Sequence, residues 1–552
     1  MTDKIIIYQV FTRLFGNRNT TRKEWGTVAE NGTGKLADFN AKTLKAIKSM
    51  GISHIWYTGV IRHATQTDFS ANGIPTQHPA VVKGKAGSPY AICDYYDIDP
   101  DLAVNVDKRM EEFEALVQRT HKAGLKMIID FVPNHVARQY ESIAKPKGVK
   151  DLGSNDITSE GFSPQNNFYY CPGCHFEPYF DKQDYDEFPC RATGNDCFGN
   201  HPGQNDWYET VKLNFGKDYW TNFGHFDPIP DTWEKMTEIL LFWLKKGVDG
   251  FRCDMAEMVP ADFWAYATAK VKAANPEVIF IGEVYNPAEY RNYIASGFDY
   301  LYDKVGMYDA MRAVTCGYAP AHCITQNWQS VDDINSHMLY FLENHDEQRI
   351  ASDFFAGSAR KGIPAMVASV LMKQSPFMLY AGEEYGEKGM DKEGFSGQDG
   401  RTTIFDYWSI DTLCRAASDE LTDEEKAIYD LHVKTMQIAR KENAVDGDFY
   451  DVMYVNPRSE NFDNEKLYAF FRKKGGEMLF VVSNFADTEA DIKVRIPVHM
   501  IEYLQIPEKK YQATDLLSGE KQSMEIKADA FVSMTVPANG ARVWKMKFTV
   551  KK

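Results

Sequence analysis

Short apolar runs that end in polar or charged residues recur along the chain, with amphipathic stretches between them. Eight such runs stand out: Ile5–Val10, Ile52–Tyr57, Lys126–Val132, Val248–Asp254, Val278–Val284, Phe298–Asp303, Met338–Glu343 and Pro376–Ala381. This alternation predicts repeated βα units on a parallel sheet. Helices are expected over Lys108–Gly124, where Met110, Phe113, Leu116 and Val117 fall at helical spacing, and over Trp233–Lys246, closed by Gly247 as C-cap. An open doubly wound sheet also accommodates eight strands. The polar residues at the carboxyl ends of so many runs favour a closed ring, in which all those ends converge on one face. The expected class is α/β, a (β/α)8 barrel.

Two stretches depart from the pattern. From Ala137 to about Trp220 the chain is rich in Gly, Asn, Asp, Pro and Tyr without sustained periodicity, too long for an ordinary loop, so a small domain inserted after strand 3 is expected. From about Asn443, the runs Lys466–Arg472, Met478–Asn484 and Phe531–Val536 are strand-like and separated by turn residues. The expected organisation is a barrel over 1–136 and 221–442, an insertion over 137–220 and a C-terminal all-β sandwich over 443–552.

Composition narrows the partners. At 552 residues the chain exceeds one ordinary domain. Its 30 Tyr, 34 Phe and 10 Trp are more aromatic surface than a core usually needs, and surplus rings often stack on sugars or nucleobases. A formal net charge of -16 repels phosphate backbones and anionic lipid, which disfavours nucleic-acid and membrane partners. The opening MTDKIIIYQVFTRLFGN has no long apolar region or cleavage site, and no segment is apolar for long enough to span a bilayer. A cytoplasmic location is expected, or a periplasmic or secreted one if a leader has been removed.

Four strand ends deliver several polar groups where a barrel places its active site: Asp130-Phe-Val-Pro-Asn134-His135, Gly250-Phe-Arg252-Cys-Asp254, Phe280-Ile-Gly-Glu283 and Glu343-Asn344-His345-Asp346. One acid at a strand end is more commonly a helix N-cap or a loop ion pair. Four such ends in order are harder to dismiss. Carboxylates gathered there suit cleavage of an acetal, which needs one group to protonate the leaving oxygen and another to meet the oxocarbenium-like carbon. Arg252, two residues before Asp254 and on the same side of the strand, is expected to keep that carboxylate ionised, leaving Glu283 to carry the proton. Cys253 alternates away from the site into packing.

With these motifs, DFVPNH at 130–135, GFRCD at 250–254, IGEV at 281–284 and ENHD at 343–346, the chain resembles the α-amylase family of retaining glycoside hydrolases. SPYAICDYYDIDP at 88–100 and SPFMLYAGEEYG at 375–386 extend the resemblance over the whole chain. It implies a TIM-type barrel that hydrolyses α-glucosidic bonds in α-glucans or malto-oligosaccharides through a covalent glycosyl-enzyme. Asp254 matches the nucleophile, Glu283 the general acid/base and Asp346 the third carboxylate, which grips sugar hydroxyls. Arg252 matches the arginine paired with the nucleophile, and His135 and His345 the histidines that hydrogen-bond the sugar. Tyr90 matches the aromatic floor of that subsite, and Arg349 an arginine of oligosaccharide-acting members. Met255-Ala-Glu257-Met258 stands where typical α-amylases carry a Lys-His pair, which favours exo-acting or α-1,6-specific glucosidase action as an alternative. An α-glucan transglycosylase shares the same motifs. A non-catalytic carbohydrate-binding or scaffold relative is expected to lack one of the three acids, and all three are present.

The resemblance implies no cofactor for the chemistry. Asn134 remains a candidate calcium ligand. Cys171-Pro-Gly-Cys174, followed by Cys190 and Cys197, suggests structural zinc first, two disulfides second and free thiols third.

Overall fold

The eight apolar runs are eight parallel strands: β1 (Ile6–Phe11), β2 (His54–Thr58), β3 (Lys126–Phe131), β4 (Gly250–Cys253), β5 (Ile279–Gly282), β6 (Tyr300–Tyr302), β7 (Met338–Phe341) and β8 (Phe377–Tyr380). In the computed structural model, which describes residues 2–389, 392–395 and 397–549, they close into a barrel in which each pairs with its sequence neighbours and β1 pairs with β8. The strands are buried except at the first residue of β2, β3, β5 and β6. One face packs on the other strands inside the barrel and the other on helices outside it, so the runs are apolar throughout instead of alternating. The register Arg252↔Asp130 between β4 and β3 and Cys253↔Gly282 between β4 and β5 brings the polar strand ends level with one another.

The outer helices follow their apolar stripes. Arg109–Lys122 buries Phe113, Leu116, Val117 and Thr120, with Glu111 and Glu112 in its first turn and Arg119, His121 and Lys122 in its last, the arrangement the helix dipole favours. Asp231–Lys245 buries Trp233, Met236, Leu240 and Trp243 among others. Among the described residues no helix is long and apolar enough to cross a membrane.

Between β3 and β4 the chain leaves the barrel and returns. His135–Ala137 pairs antiparallel with Thr210–Lys212, so the outgoing and incoming ends of the excursion are stitched together beside the barrel mouth. Its interior holds short ladders, such as Tyr170–Cys171 on Cys190–Arg191, and a buried Arg138 that bonds Glu187 and Thr193. The loop before Tyr90 is held just as firmly. Arg13 donates to the carbonyls of Ala86 and Gly87, and Gly87, at φ +77, passes so near the Ala64 carbonyl that a Cβ would lie 1.6 Å from it.

At the C-terminal end a six-stranded antiparallel sheet runs Asp448–Asp451, Leu467–Lys474, Glu477–Asn484, Gly540–Lys547, Lys509–Asp515 and Lys521–Ile526, and Ala490–Arg495 pairs with Phe531–Val536 in a second, two-stranded sheet. The three strand-like runs read from the sequence all lie in these sheets. A short helix, Val498–Leu504, sits among them where no helical pattern was expected, and it buries Met500, Ile501 and Leu504.

Candidate active site

The ends of β4, β5 and β7 place Asp254, Glu283 and Asp346 around one cavity of about 290 Å³, which Tyr90 and His135 also line. Beneath them lies Arg252, fully buried, with its guanidinium over the rings of Trp56, Tyr90 and Tyr302 at 5.1, 5.4 and 5.5 Å. Its Nη1 meets Asp254 Oδ1 at 2.8 Å and its Nη2 meets Glu283 Oε2 at 2.7 Å. One planar cation thus fixes both carboxyl groups. That sharing is compatible with the close spacing, about 5–5.5 Å, of carboxyls in retaining glycosidases. Arg252 therefore acts through the acids and lies behind them, outside the cavity wall.

The two oxygens of Glu283 have different surroundings. Oε2 accepts from Arg252 and, at 2.8 Å, from the backbone N–H of Met255. Among the described residues, Oε1 accepts only from the Tyr285 hydroxyl, a close contact. Met255 holds φ +43, the left-handed region that a β-unbranched side chain tolerates at a cost, and this turn aims its N–H at Glu283. Glu257, in the stretch where typical members carry the Lys-His pair, accepts the backbone N–H groups of Tyr285 and Asn286, both at 3.0 Å, and so ties down the loop after β5.

The charge on Asp254 departs from expectation. Burial pushes its carboxyl well above the usual range; Arg252 opposes this, while the neighbouring charges of Glu283, Asp346 and Asp130 reinforce it. Burial outweighs the guanidinium, which Asp254 shares with Glu283, so the pairing alone does not keep Asp254 low. Asp346 goes the other way. Burial acts to raise it, but His345 alongside, at 2.9 Å, with further help from Arg252 and Arg401, brings it down to about 2.

His345 is buried under this acid. The Gln9 amide lies 2.8 Å from its Nδ1, and its Nε2 faces Asp346 and, at 2.5 Å, the Tyr90 hydroxyl. Tyr90 stacks on His345 with ring centroids 5.2 Å apart, so the aromatic floor is braced from below. His135 packs against Trp207 and is held neutral: burial first, then Lys212 and Lys83, lower its imidazole to about 3.

Three sequence expectations do not survive. Arg349 does not reach the cavity. It is fully buried, with Nη1 on Glu343 at 2.8 Å, Nε on Thr402 at 2.8 Å and Nη2 on the Ala381 carbonyl at 3.0 Å, its plane over Tyr380, so it braces the loops after β7 and β8. Asn134 does not present a calcium site, because an ammonium already fills that role: Lys212 Nζ donates closely to Asn134 Oδ1 and lies 2.6 Å from Asp196 Oδ1. A divalent ion there would meet a buried positive charge. The four-cysteine zinc site does not assemble either. Cys171 and Cys190 face each other across their ladder, with thiols directed to the Phe198 and Arg191 carbonyls, and among the described residues no three His, Cys, Asp or Glu side chains are placed to hold a metal ion. All nine cysteines are free thiols, and Cys253 is buried in the core as its alternation implied.

Other residues of the cavity carried no signal in the sequence. Trp207 and Glu209 come from the excursion after β3, Lys83 from the loop before Tyr90, and Ile404 and Phe405 from the loop after β8. Lys83 and Glu209 pair at 3.0 Å in the wall. Tyr285 alone was within reach of sequence reasoning, since two residues past Glu283 an extended chain returns to the same side.

Residues 9–441 match the family described as alpha amylase, catalytic domain, and residues 459–547 match alpha amylase, C-terminal all-beta domain. The chain is 25% identical over 463 residues to Alpha-amylase 3 of Dictyoglomus thermophilum, covering 79% of this chain and 82% of that one. It is 23% identical over 500 residues to a cyclomaltodextrinase of Thermoanaerobacter pseudethanolicus, covering 88% and 70%. Its fold is similar to that of the maltogenic alpha-amylase AmyB from Thermotoga neapolitana, with a TM-score of 0.63 at 19% identity over 99% of both chains. With the catalytic-domain match running from within the first strand through the rest of the barrel and every strand end that builds the cavity, the chain belongs to the α-amylase family of glycoside hydrolases.

Proposed function

We propose that this enzyme hydrolyses α-glucosidic bonds of short α-glucans or malto-oligosaccharides with retention, Asp254 acting as nucleophile, Glu283 as acid/base and Asp346 as the clamp on sugar hydroxyls. The observation that carries the reading is the single cavity lined by all three acids, two of them held by one guanidinium. Asp254 attacks the anomeric carbon while Glu283 protonates the departing oxygen; a water that Glu283 then deprotonates releases the sugar. Oε1 is the oxygen that moves the proton, because Oε2 is occupied by Arg252 and the Met255 N–H whereas Oε1 has only a displaceable phenol. Neutral His135 and the Tyr90 face hold the ring from either side. The same reading divides the chain into a barrel over 1–136 and 221–442, an insertion over 137–220 and an all-β domain over 443–552.

The volume favours short substrates. About 290 Å³ is at the small end of ligand cavities, roughly 300–1,000 Å³, and the Lys83–Glu209 pair and Trp207 form part of its wall. This supports a preference for oligosaccharides over internal bonds of starch. Maltotriose, isomaltose and starch offered separately, with the first-formed anomer followed by NMR, decide the matter: an α-configured product from maltotriose is expected. A β-configured product, or no cleavage of any of the three, overturns the reading.

Two further outcomes follow from the same geometry. Asp254 must be ionised to attack, and burial with neighbouring acids raises its carboxyl, so activity falls as pH drops through a value above the usual Asp range of about 3.9. Asp346→Asn removes one of the charges that raise it, and the acid limb of its residual kcat/KM profile therefore moves to lower pH. The second concerns Lys212. With an ammonium bridging Asn134 and Asp196, catalysis is expected to continue undiminished in EDTA. Lys212→Met leaves the buried Asn134 carbonyl oxygen without a donor and lowers stability by about 1–3 kcal/mol, read by thermal unfolding.

A further inference from the structure

The opposite end of the barrel holds a cavity of about 750 Å³, larger than the catalytic one. Trp328 and Lys373 come from segments that lead into β7 and β8, whereas the catalytic acids follow the other ends of the strands, so the two cavities lie at opposite faces of the ring. The far wall belongs to the C-terminal sheets: Phe449 and Tyr450 on strand Asp448–Asp451, Tyr454 just beyond it, and His499 and Tyr503 on the helix Val498–Leu504.

The wall is built from rings that are fixed and yet open. The Tyr450 hydroxyl bonds the Tyr454 hydroxyl at 2.8 Å and His499 Nδ1 at 2.7 Å, and Tyr503 stacks on His499 with centroids 6.1 Å apart at 21°. Tyr454 and Tyr503 are nevertheless 62% and 54% exposed. Large aromatic faces held at the mouth of a polar cavity are uncommon on a surface that has nothing to bind. Carboxylates of Asp332, Asp446 and Asp448 ring the same space. Its floor includes Arg472, fully buried and held by the carbonyls of Leu371, Met372, Val445 and Gly447, with its Nε left without a hydrogen-bond partner among the described residues. Lys373 is already engaged by Asp332 at 2.8 Å and by the rings of Trp328 and Phe449.

We infer that this junction is a second carbohydrate-binding site, which holds a stretch of neutral α-glucan by stacking pyranose faces on Tyr454 and Tyr503 and hydrogen-bonding hydroxyls to the surrounding carboxylates. The acids disfavour a phosphorylated or otherwise anionic ligand, and a sugar has the CH-rich faces and dense hydroxyls that rings interleaved with carboxylates recognise. The choice of glucan rests on the function proposed above. A polymer held here keeps its ends close to the enzyme and so to the catalytic cavity.

Electrophoresis of the Glu283→Gln protein through native gels containing soluble starch tests the site. Retardation is expected, and Tyr454→Ala with Tyr503→Ala in that background weakens the apparent affinity about tenfold, close to 1.4 kcal/mol. Tyr454→Phe, which keeps the ring, retains it. Maltotriose hydrolysis by the otherwise unaltered enzyme carrying the two alanines remains within twofold of the parent. Retardation that survives the two alanines, or its absence in the parent, overturns the second site, as does an equal loss of maltotriose hydrolysis. Failure of the parent to cleave maltotriose bears instead on the catalytic reading.

Discussion

Asp254→Asn is expected to reduce kcat by roughly 10⁴-fold or more, and Glu283→Gln by about 10²–10⁴-fold, with thermal unfolding of both variants close to that of the parent. The amide that Asp254→Asn introduces cannot form the glycosyl ester, so no covalent path remains. In Glu283→Gln the amide oxygen keeps its acceptor contacts with Arg252 and Met255, but the side chain has no acidic proton to give. Substrates with activated leaving groups need little protonation, and they should recover much of the first step in Glu283→Gln and none in Asp254→Asn. A variant at either position that turns over maltotriose at the parental rate ends the assignment of that residue.

The second large effect is at Arg252. Its guanidinium is the only cation in contact with Asp254 and Glu283 among the hydrogen bonds and ion pairs of the described residues, and all three side chains are buried. Arg252→Met leaves two acids facing each other without a counter-charge. Breaking a buried pair in this way costs about 3–5 kcal/mol, measurable by denaturant unfolding, and abolishes activity by freeing both carboxyl groups from their fixed positions. Arg252→Lys retains charge but not the planar fork, so it should recover part of the stability and little of the rate. The double variant Arg252→Met, Glu283→Gln is expected to be less destabilised than the sum of its parts, because the second change removes one of the stranded charges. Additive losses would mean that the arginine matters for packing alone.

Both predictions depend on residues that were visible before any coordinates. The site's inner layer sits at strand ends, where apolar run and polar terminus are adjacent in sequence, and a closed ring must bring such ends together. Its outer layer was not visible. Trp207 and Glu209 lie in a stretch without periodicity, and only the antiparallel pairing of Thr210–Lys212 with His135–Ala137 swings them over the barrel mouth. Arg349 illustrates the opposite failure. The family resemblance implied a sugar contact, but Arg349 is buried and bonded to Glu343, Thr402 and Ala381 instead.

The pattern of residues by itself determined eight strands, a closed ring, a β-rich C-terminal region and the three acids, since periodicity and strand-end chemistry are local properties written along the chain. Tertiary structure alone decided how charge is distributed among them. Whether Asn134 meets calcium or Lys212, whether the cysteines converge, and whether Arg252 serves one acid or two depend on distances between segments far apart in the chain. Such distances follow from packing and long-range pairing, which no local pattern encodes.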